Sequence, residues 1–456
     1  MTSPESSAPE LATGRIVRTW WPLAASWLLM ATELPAVSAV VARLPHPEIN
    51  LAAYGGVVFP LALIVESPII MLLAASTALS KDWASYAKLR QFMMRAGLAL
   101  TLLHMLIAFT PLYYFVAAKV IGAPPEIIEP ARIGFMIMVP WSWAIAYRRF
   151  NQGVMIRFEQ SQAVGTGTAI RLSTLGVILT IGYLMHTLPG IVIATGAIIT
   201  AVMSEAIYSG LRVQPILRNQ LRLAAPVEPA LTFRAFIAFY VPLAMTSLLN
   251  LLVEPIGSAA LSRMPSPLQS LAVWPVISGL IFMLQSLGVA YNEVVVALLD
   301  RPRATRSLRR FANVLLVALT AVILVMAATP LSALWFGSVL GLSPALTDMA
   351  RRGLWLALPM PGLAVLTSWY QGNLMHSRRT RGITEAIAIF MFTSVSLMAV
   401  GVWVGKFGGL YVGLTAFSVG TAMQTLWLWR RVRVALRSNE ARDASSGPLP
   451  DQAAAD

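Results

Sequence analysis

The chain of 456 residues is 57% apolar and only 12% charged, with a mean hydropathy of +0.70. A soluble domain carries about a quarter charged residues, so lipid must cover much of this surface. The absence of cysteine excludes disulfides, thiolate catalysis and thiolate metal sites, and the four histidines show no metal-ligand spacing.

The ends of the chain are polar, and long apolar runs lie between them. Residues 1–14 predict a disordered N-terminus without the apolar core of a signal peptide, and residues 438–456 predict a disordered C-terminal tail. A span of the bilayer needs about 20 residues. Twelve runs meet this length: 20–41, 51–79, 91–117, 133–152, 169–187, 190–211, 235–261, 270–298, 311–336, 353–373, 383–403 and 408–429. We therefore predict an all-α polytopic membrane protein with about twelve transmembrane helices.

The net charge of +14 is distributed over the loops in a regular alternation. Most of the 34 Lys and Arg residues fall at the termini and in every second loop, and we assign Arg148, Arg149 and Arg171 to these basic loops. The positive-inside rule then places both termini in the cytoplasm, and we expect a bacterial inner (plasma) membrane. The basic charge therefore reflects membrane topology, and no nucleic-acid partner is predicted. We also expect a monomer.

An internal repeat divides the chain into two halves. Residues 22–52 align without gaps with residues 242–272 at an offset of 220, matching four prolines and pairing Arg43 with Arg263. The match resumes at an offset of 219, where Gln152-Gly153 pairs with Gln371-Gly372. Each half has an even number of spans, so we predict two six-helix bundles, 15–215 and 235–437, related by a parallel repeat and joined by a cytoplasmic linker, 216–234.

Acidic residues inside the predicted spans are the candidate functional groups. A charge at the bilayer centre costs free energy, and ionisable residues there usually serve a function. Glu33 and Glu254 lie beside Pro35 and Pro255, repeat partners whose rings free backbone carbonyls nearby. Carboxylates next to freed carbonyls suit a proton or a hard cation. The candidate substrate- and ion-binding residues are Glu33, Glu66, Asn250, Glu254 and Glu293.

Purely structural roles remain open for these acids, as neutral, hydrogen-bonded groups between helices. Glu205 is expected to be structural. No catalytic constellation, phosphate-binding loop or resident metal site is visible, so an enzyme is not predicted. No cofactor is expected beyond a coupling H⁺ or Na⁺.

Short motifs resemble the multidrug/oligosaccharidyl-lipid/polysaccharide (MOP) exporter superfamily, most closely its multidrug and toxin extrusion (MATE) and progressive ankylosis branches. They are Trp21-Pro22-Leu23, Leu51-Ala52-Ala53-Tyr54-Gly55, Glu66-Ser67-Pro68 and the two Gln-Gly pairs. The resemblance implies two bundles around a V-shaped cavity. It implies export of small molecules driven by H⁺ or Na⁺, or, in the ankylosis branch, release of anionic metabolites such as pyrophosphate, nucleotide and citrate.

The expected cavity charge discriminates between these alternatives. An anion carrier, or a flippase for lipid-linked oligosaccharide, needs Arg or Lys in the cavity, and no basic residue is expected as deep as the acids. The sequence therefore favours cation-coupled efflux of a neutral or cationic small molecule. A membrane-embedded enzyme and a non-transporting scaffold are further alternatives that explain less of the pattern.

Overall fold

The computed structural model describes residues 11–445 except 302, 378 and 380, together with all their side chains except those of 250, 438, 444 and 445. Within this part of the chain the membrane-spanning segments number twelve. The first six are α1 (Thr13–Ala31 and Glu33–Val41), α2 (Pro47–Ala53, Tyr54–Val58, Phe59–Glu66 and Leu72–Leu79), α3 (Trp83–Phe109), α4 (Pro125–Ile137 and Trp141–Arg157), α5 (Ser161–Met185) and α6 (Gly190–Arg212). The second six are α7 (Phe233–Leu251 and Val253–Leu261), α8 (Pro267–Leu298), α9 (Ala304–Ala328), α10 (Pro344–Ala357 and Met360–His376), α11 (Arg381–Val404) and α12 (Gly409–Ser445).

Nine of these segments, as far as the structure describes them, are long and apolar enough to cross a membrane by length and composition alone. The others are α4, α10 and α12. In α4 and α10 the helix is interrupted shortly before Trp141 and Met360, next to a proline in each case. The last helix, α12, continues to Ser445, so the prediction of disorder is wrong for residues 438–445. The molecule is an all-α, multi-pass membrane protein.

The two halves repeat the same packing. In the first half α2 packs on α4, α4 on α3 and α6, and α1 on α5 and α6. The second half pairs α8 with α10, α10 with α9 and α12, and α7 with α11 and α12. Even single hydrogen bonds recur: Asn50 accepts from the Ile191 amide, and its repeat partner Ser270 accepts from the Leu410 amide at 3.1 Å. The predicted parallel repeat of two six-helix bundles is confirmed.

The halves meet where α1 and α2 pack on α8. Gly55 and Pro275, which are repeat partners, contact each other there, as residues beside a twofold axis must. A Cβ on Gly55 would lie only 2.5 Å from the Pro275 Cγ, so glycine is what permits this approach.

At the end of the bundles opposite the chain termini, which we call the distal end, two arginines join the halves. Arg43 follows α1 and donates to the carbonyls of Ser338 and Val339 in the second half, at 2.6 and 2.9 Å. Arg263 follows α7 and donates to Val120 and Ile121 in the first half, at 2.8 and 2.7 Å. We call these repeat-related contacts the arginine clamp.

The cytoplasmic linker predicted at 216–234 starts within a short helix, Gln214–Asn219, and ends where α7 begins. Asp82 anchors it: one carboxylate oxygen accepts from the Ser85 amide at the start of α3, and the other accepts from Val227 in the linker, both at 2.8 Å. Burial raises the pKa of Asp82, but these hydrogen bonds outweigh burial and hold the pKa below its ordinary value.

Candidate functional site: a charged cavity between the two bundles

A cavity of about 470 Å³ lies between the two halves. Both bundles line it, through α1, α2, α4 and α5 on one side and α7, α8, α10 and α12 on the other. Most of its wall is apolar or aromatic: Met30, Leu34, Tyr54, Phe59, Trp141, Trp274, Phe282, Met360 and Phe417. Its charged lining residues are Glu33, Glu66, Arg148, Arg149, Arg171 and Glu254. Three of the five sequence-predicted site residues therefore meet here, and the first bundle supplies every charged lining group except Glu254.

The first bundle holds a network of buried ion pairs beside the cavity. Arg171 on α5 pairs with Glu33 on α1. Glu205 on α6 is fully buried, and Arg148 on α4 pairs with it at 2.6 Å. Arg171 also lies 3.9 Å from Glu205, and Gln152 donates to the other oxygen of Glu205 at 2.9 Å. Two carboxylates and two guanidinium groups thus neutralise one another, with Glu205 fully buried and Glu33 and Arg171 largely buried.

The arginines overturn the expectation that no basic residue lies as deep as the acids. Arg148 and Arg149 belong to α4 and Arg171 to α5, so the prediction that all three lie in cytoplasmic loops is wrong. Sorting basic residues by the positive-inside rule treats each arginine as a solvated charge. Arg148 and Arg171 are instead paired with carboxylates on other helices. The missed signal was available, since all three arginines fall inside the predicted spans 133–152 and 169–187.

Glu66 and Glu254 are held differently from Glu33. Glu66 accepts from the Trp141 indole nitrogen at 2.6 Å, and Glu254 accepts from the Trp274 indole nitrogen at 3.2 Å. Among the described residues, no Lys, Arg or His nitrogen lies within 4.0 Å of either carboxylate. A neutral indole does not balance a carboxylate charge, so a proton or a cation can neutralise each carboxylate.

Arg149 is the counterpart of these two acids. Arg149 lines the cavity, and its Nε, like those of Arg148 and Arg171, is buried without a hydrogen-bond partner. No carboxylate in the described part of the chain forms an ion pair with it. A buried donor without a partner costs about 1–3 kcal/mol, and more when it is charged. Arg149 is therefore a group that an incoming anion can satisfy.

Proline interrupts the helices next to Glu33 and Glu254, as the sequence predicted. α1 breaks at Thr32 and α7 breaks at Leu252, positions 220 residues apart. Pro35 and Pro255 cannot donate to the carbonyls four residues before them, those of Ala31 and Leu251. Both of these residues line the cavity. The carbonyls freed by the breaks are therefore close to the charged groups.

Of the remaining two predicted residues, Glu293 is described in full and is not brought to this site. Glu293 on α8 is exposed, does not line the cavity, and is 3.4 Å from the Trp27 indole nitrogen. Asn250 lies on α7, but its side chain is outside the described residues.

Comparison with solved structures identifies the architecture. An inward-facing multidrug-resistance MATE-family transporter of the MOP superfamily matches 91% of this chain and 96% of its own, with a TM-score of 0.66 and 14% identity. A point mutant of the Vibrio cholerae MATE transporter VcmN matches 93% of this chain and 97% of its own, with a TM-score of 0.64 and 17% identity.

The lipid II flippase MurJ, in an inward closed conformation, matches 91% of this chain and 90% of its own, with a TM-score of 0.55 and 14% identity. The chain has the fold of MOP-superfamily transporters. No family model and no curated protein matches its sequence. At these identities the likeness establishes the fold, as the short sequence motifs predicted.

Proposed function

We propose that this protein is a secondary active exporter that moves a small organic molecule by alternating access of the central cavity, coupled to H⁺ or Na⁺. The observation that carries the proposal is the cavity itself, where charged groups face apolar walls between two repeat-related bundles. Rocking of two such bundles about a fixed site is how parallel-repeat transporters work. The fold shared with proteins described as MATE multidrug transporters supports the same conclusion.

Glu66 and Glu254 are the proposed coupling groups. Each carboxylate has only an indole N–H as a described hydrogen-bond partner, and both residues line the cavity. Binding of H⁺ or Na⁺ neutralises the carboxylate and lowers the cost of enclosing it away from water. Loss of that cation on the other side of the membrane would favour the opposite conformation, which ties ion movement to cavity reorientation.

The arginines change the substrate expected from the sequence. The preference for a neutral or cationic molecule depended on a cavity without basic groups, and Arg149 removes that basis. We therefore favour a small organic molecule with an anionic group, bound by Arg149 while its apolar part contacts Trp274, Phe282 and Phe417. This is the alternative that the ankylosis resemblance raised.

A flippase for a lipid-linked oligosaccharide is the second candidate, because MurJ shares the fold. A pyrophosphate headgroup needs a cavity with a large excess of positive charge. Here Arg148 and Arg171 are already neutralised by Glu205 and Glu33. Arg149, the remaining cation among the described lining residues, favours one anionic group over two.

The location in the cell is inferred from the fold and from the distribution of basic loops. The multi-pass fold is that of membrane transporters, and we place the protein in a bacterial plasma membrane. The distribution of basic loops puts both termini in the cytoplasm and the distal end outside. We propose a monomeric carrier that binds its substrate without chemical conversion.

The test uses the full chain in proteoliposomes, with imposed proton or sodium gradients and fluorescent organic anions and cations as probes. We expect gradient-dependent accumulation of the anions. Arg149→Gln should raise the KM for the transported anion about tenfold or more, since charge-assisted hydrogen bonds contribute about 1.5–3 kcal/mol. Arg352→Gln, which removes an exposed arginine outside the cavity, is the matched control. Transport of cations alone, with the Arg149 variant unchanged, would contradict the substrate assignment.

A further inference from the structure

A second cavity, separate from the central one, opens at the chain-terminal end of the first bundle. Its volume is about 800 Å³, and it lies between α3, α4 and the short helix that follows α6. Four basic side chains line it: Lys88, Arg90, Arg218 and Arg222. Aromatic residues complete the wall, and the Arg222 guanidinium stacks 4.6 Å above the Trp83 ring. We call this the basic pocket.

The internal repeat allows a comparison with the corresponding part of the second bundle, where acidic residues of the chain itself pair with the basic surface. Arg309, 219 residues after Arg90, pairs with Glu440 of α12 at 3.1 Å. Nearby, the Thr305 amide donates to Asp443 of the same helix at 2.9 Å. In the second bundle, acids on the last helix therefore cover the start of α9.

The first bundle lacks those acids. At the same offset of 219, the residues that correspond to Glu440 and Asp443 are Leu221 and Ala224. Among the described residues, no carboxylate forms an ion pair with any of the four basic side chains of the pocket. Lys88 donates to the Leu231 carbonyl at 2.7 Å, which leaves its charge unbalanced. The first bundle therefore has a basic surface at this place without the acidic cover found in the second.

An apolar cleft of about 410 Å³ runs along the other side of α3. Phe92, Phe233 and Phe236 line it, and Lys88 and Gln91 line both this cleft and the basic pocket. Beyond these residues α3 exposes Leu98 and Leu102, as a lipid-facing helix does. A ligand with an anionic head and an apolar tail fits this pair of cavities better than a soluble anion does.

We propose that the basic pocket binds the phosphate headgroup of an anionic phospholipid from the adjacent leaflet, with an acyl chain in the apolar cleft. Basic pockets between helix ends on the cytoplasmic side bind such headgroups, and each basic residue near the surface contributes to the attraction. The phosphate replaces, in the first bundle, the carboxylates that α12 provides in the second. This site is independent of the transport cycle proposed for the central cavity.

The test measures lipid retention by the full-length protein, using native mass spectrometry after exchange into mixed phosphatidylglycerol and phosphatidylcholine vesicles with identical acyl chains. We expect wild type to retain phosphatidylglycerol at least tenfold over phosphatidylcholine. The double variant Arg90→Gln/Arg222→Gln should lose most of that preference. Arg309→Gln, altered at the repeat partner that already has an acid, should keep it.

A second variant tests the repeat argument without removing any basic residue. Ala224→Asp restores an acid at the position that corresponds to Asp443 and should lower phosphatidylglycerol retention several-fold. Equal retention of both lipids by wild type, or unchanged retention in Ala224→Asp and Arg90→Gln/Arg222→Gln, would overturn the proposal. Displacement of the lipid by millimolar inorganic phosphate alone would also overturn it, because the pocket would then serve a soluble phosphate compound.

Discussion

Buried charge in this protein is organised around Glu205, whose side chain is fully enclosed next to Arg148. Removing one member of a buried pair leaves the other uncompensated, which costs about 3–5 kcal/mol, whereas replacing both by apolar groups is far less costly. We therefore expect Arg148→Met to destabilise the protein by about 3–5 kcal/mol, and Arg148→Met/Glu205→Leu to recover much of that loss. Thermal unfolding of the purified variants in detergent measures both values. Additive losses in the double variant would show that the two charges do not act as a pair.

The sequence placed three of the five predicted acidic and amide residues on the cavity wall, but it did not predict the buried bases. Glu33 and Glu254 were identified because a proline beside an acid is a local pattern that one chain segment displays by itself. Arg171 was missed because its partners, Glu33 and Glu205, lie on α1 and α6. Which charge a side chain meets is decided by helix packing, and helix packing cannot be read from a single segment. Glu293 differs from these acids, since it is exposed on α8 and does not line the central cavity.

At the element scale, the contact of α2 with α8 depends on a glycine. A methyl group on Gly55 would lie 2.5–2.9 Å from three atoms of the Pro275 ring, so the two helices would have to move apart. We expect Gly55→Ala to destabilise the protein by about 1–3 kcal/mol, the usual cost of overpacking.

Gly176 on α5 is the matched control, since a Cβ there has no neighbour within 4 Å. Gly176→Ala should be neutral or stabilising by up to about 1 kcal/mol, the helix-propensity difference. The same unfolding assay compares both variants, and equal effects would mean that the approach of the two helices is not tight.

The positions of the helices could be read largely from the sequence, but their ends could not. The repeat and the apolar runs predicted twelve segments. α12 was predicted to end at 429 but continues to Ser445, because the polar surface of its last turns binds α9 through Glu440 and Asp443. α4 extends beyond its predicted span at both ends, to Pro125 and Arg157. Hydropathy marks where a helix is apolar, and polar contacts then lengthen it.

For the whole molecule, the arginine clamp joins the two halves at the distal end, and we expect it to favour closure of the cavity there. Each arginine contributes charge-assisted hydrogen bonds to carbonyls of the opposite half, worth about 1.5–3 kcal/mol. We expect Arg43→Ala/Arg263→Ala to raise the population of a distally open state about tenfold or more, since about 1.4 kcal/mol is a factor of ten.

The native chain has no cysteine, so a single Ser278→Cys in the cavity reports its accessibility. Labelling by a membrane-impermeant thiol reagent from the distal side should accelerate in the clamp variant. Arg352→Ala, an exposed arginine outside the clamp, should leave the rate unchanged. Equal labelling rates with and without the clamp would show that it does not hold this end closed.

Glu66 and Glu254 are the groups proposed to couple an ion gradient to movement of the cavity. The most direct measurement compares gradient-driven accumulation with substrate exchange at zero gradient, in proteoliposomes containing wild type, Glu66→Gln, Glu254→Gln or the exposed-site control Glu293→Gln. Glutamine still accepts from the tryptophan indole but cannot bind a proton or balance a cation. We predict that Glu66→Gln and Glu254→Gln abolish accumulation driven by the proton or sodium gradient while exchange persists, and that Glu293→Gln behaves as wild type. Unchanged gradient-driven accumulation in both cavity variants would show that neither carboxylate couples the ion gradient to transport.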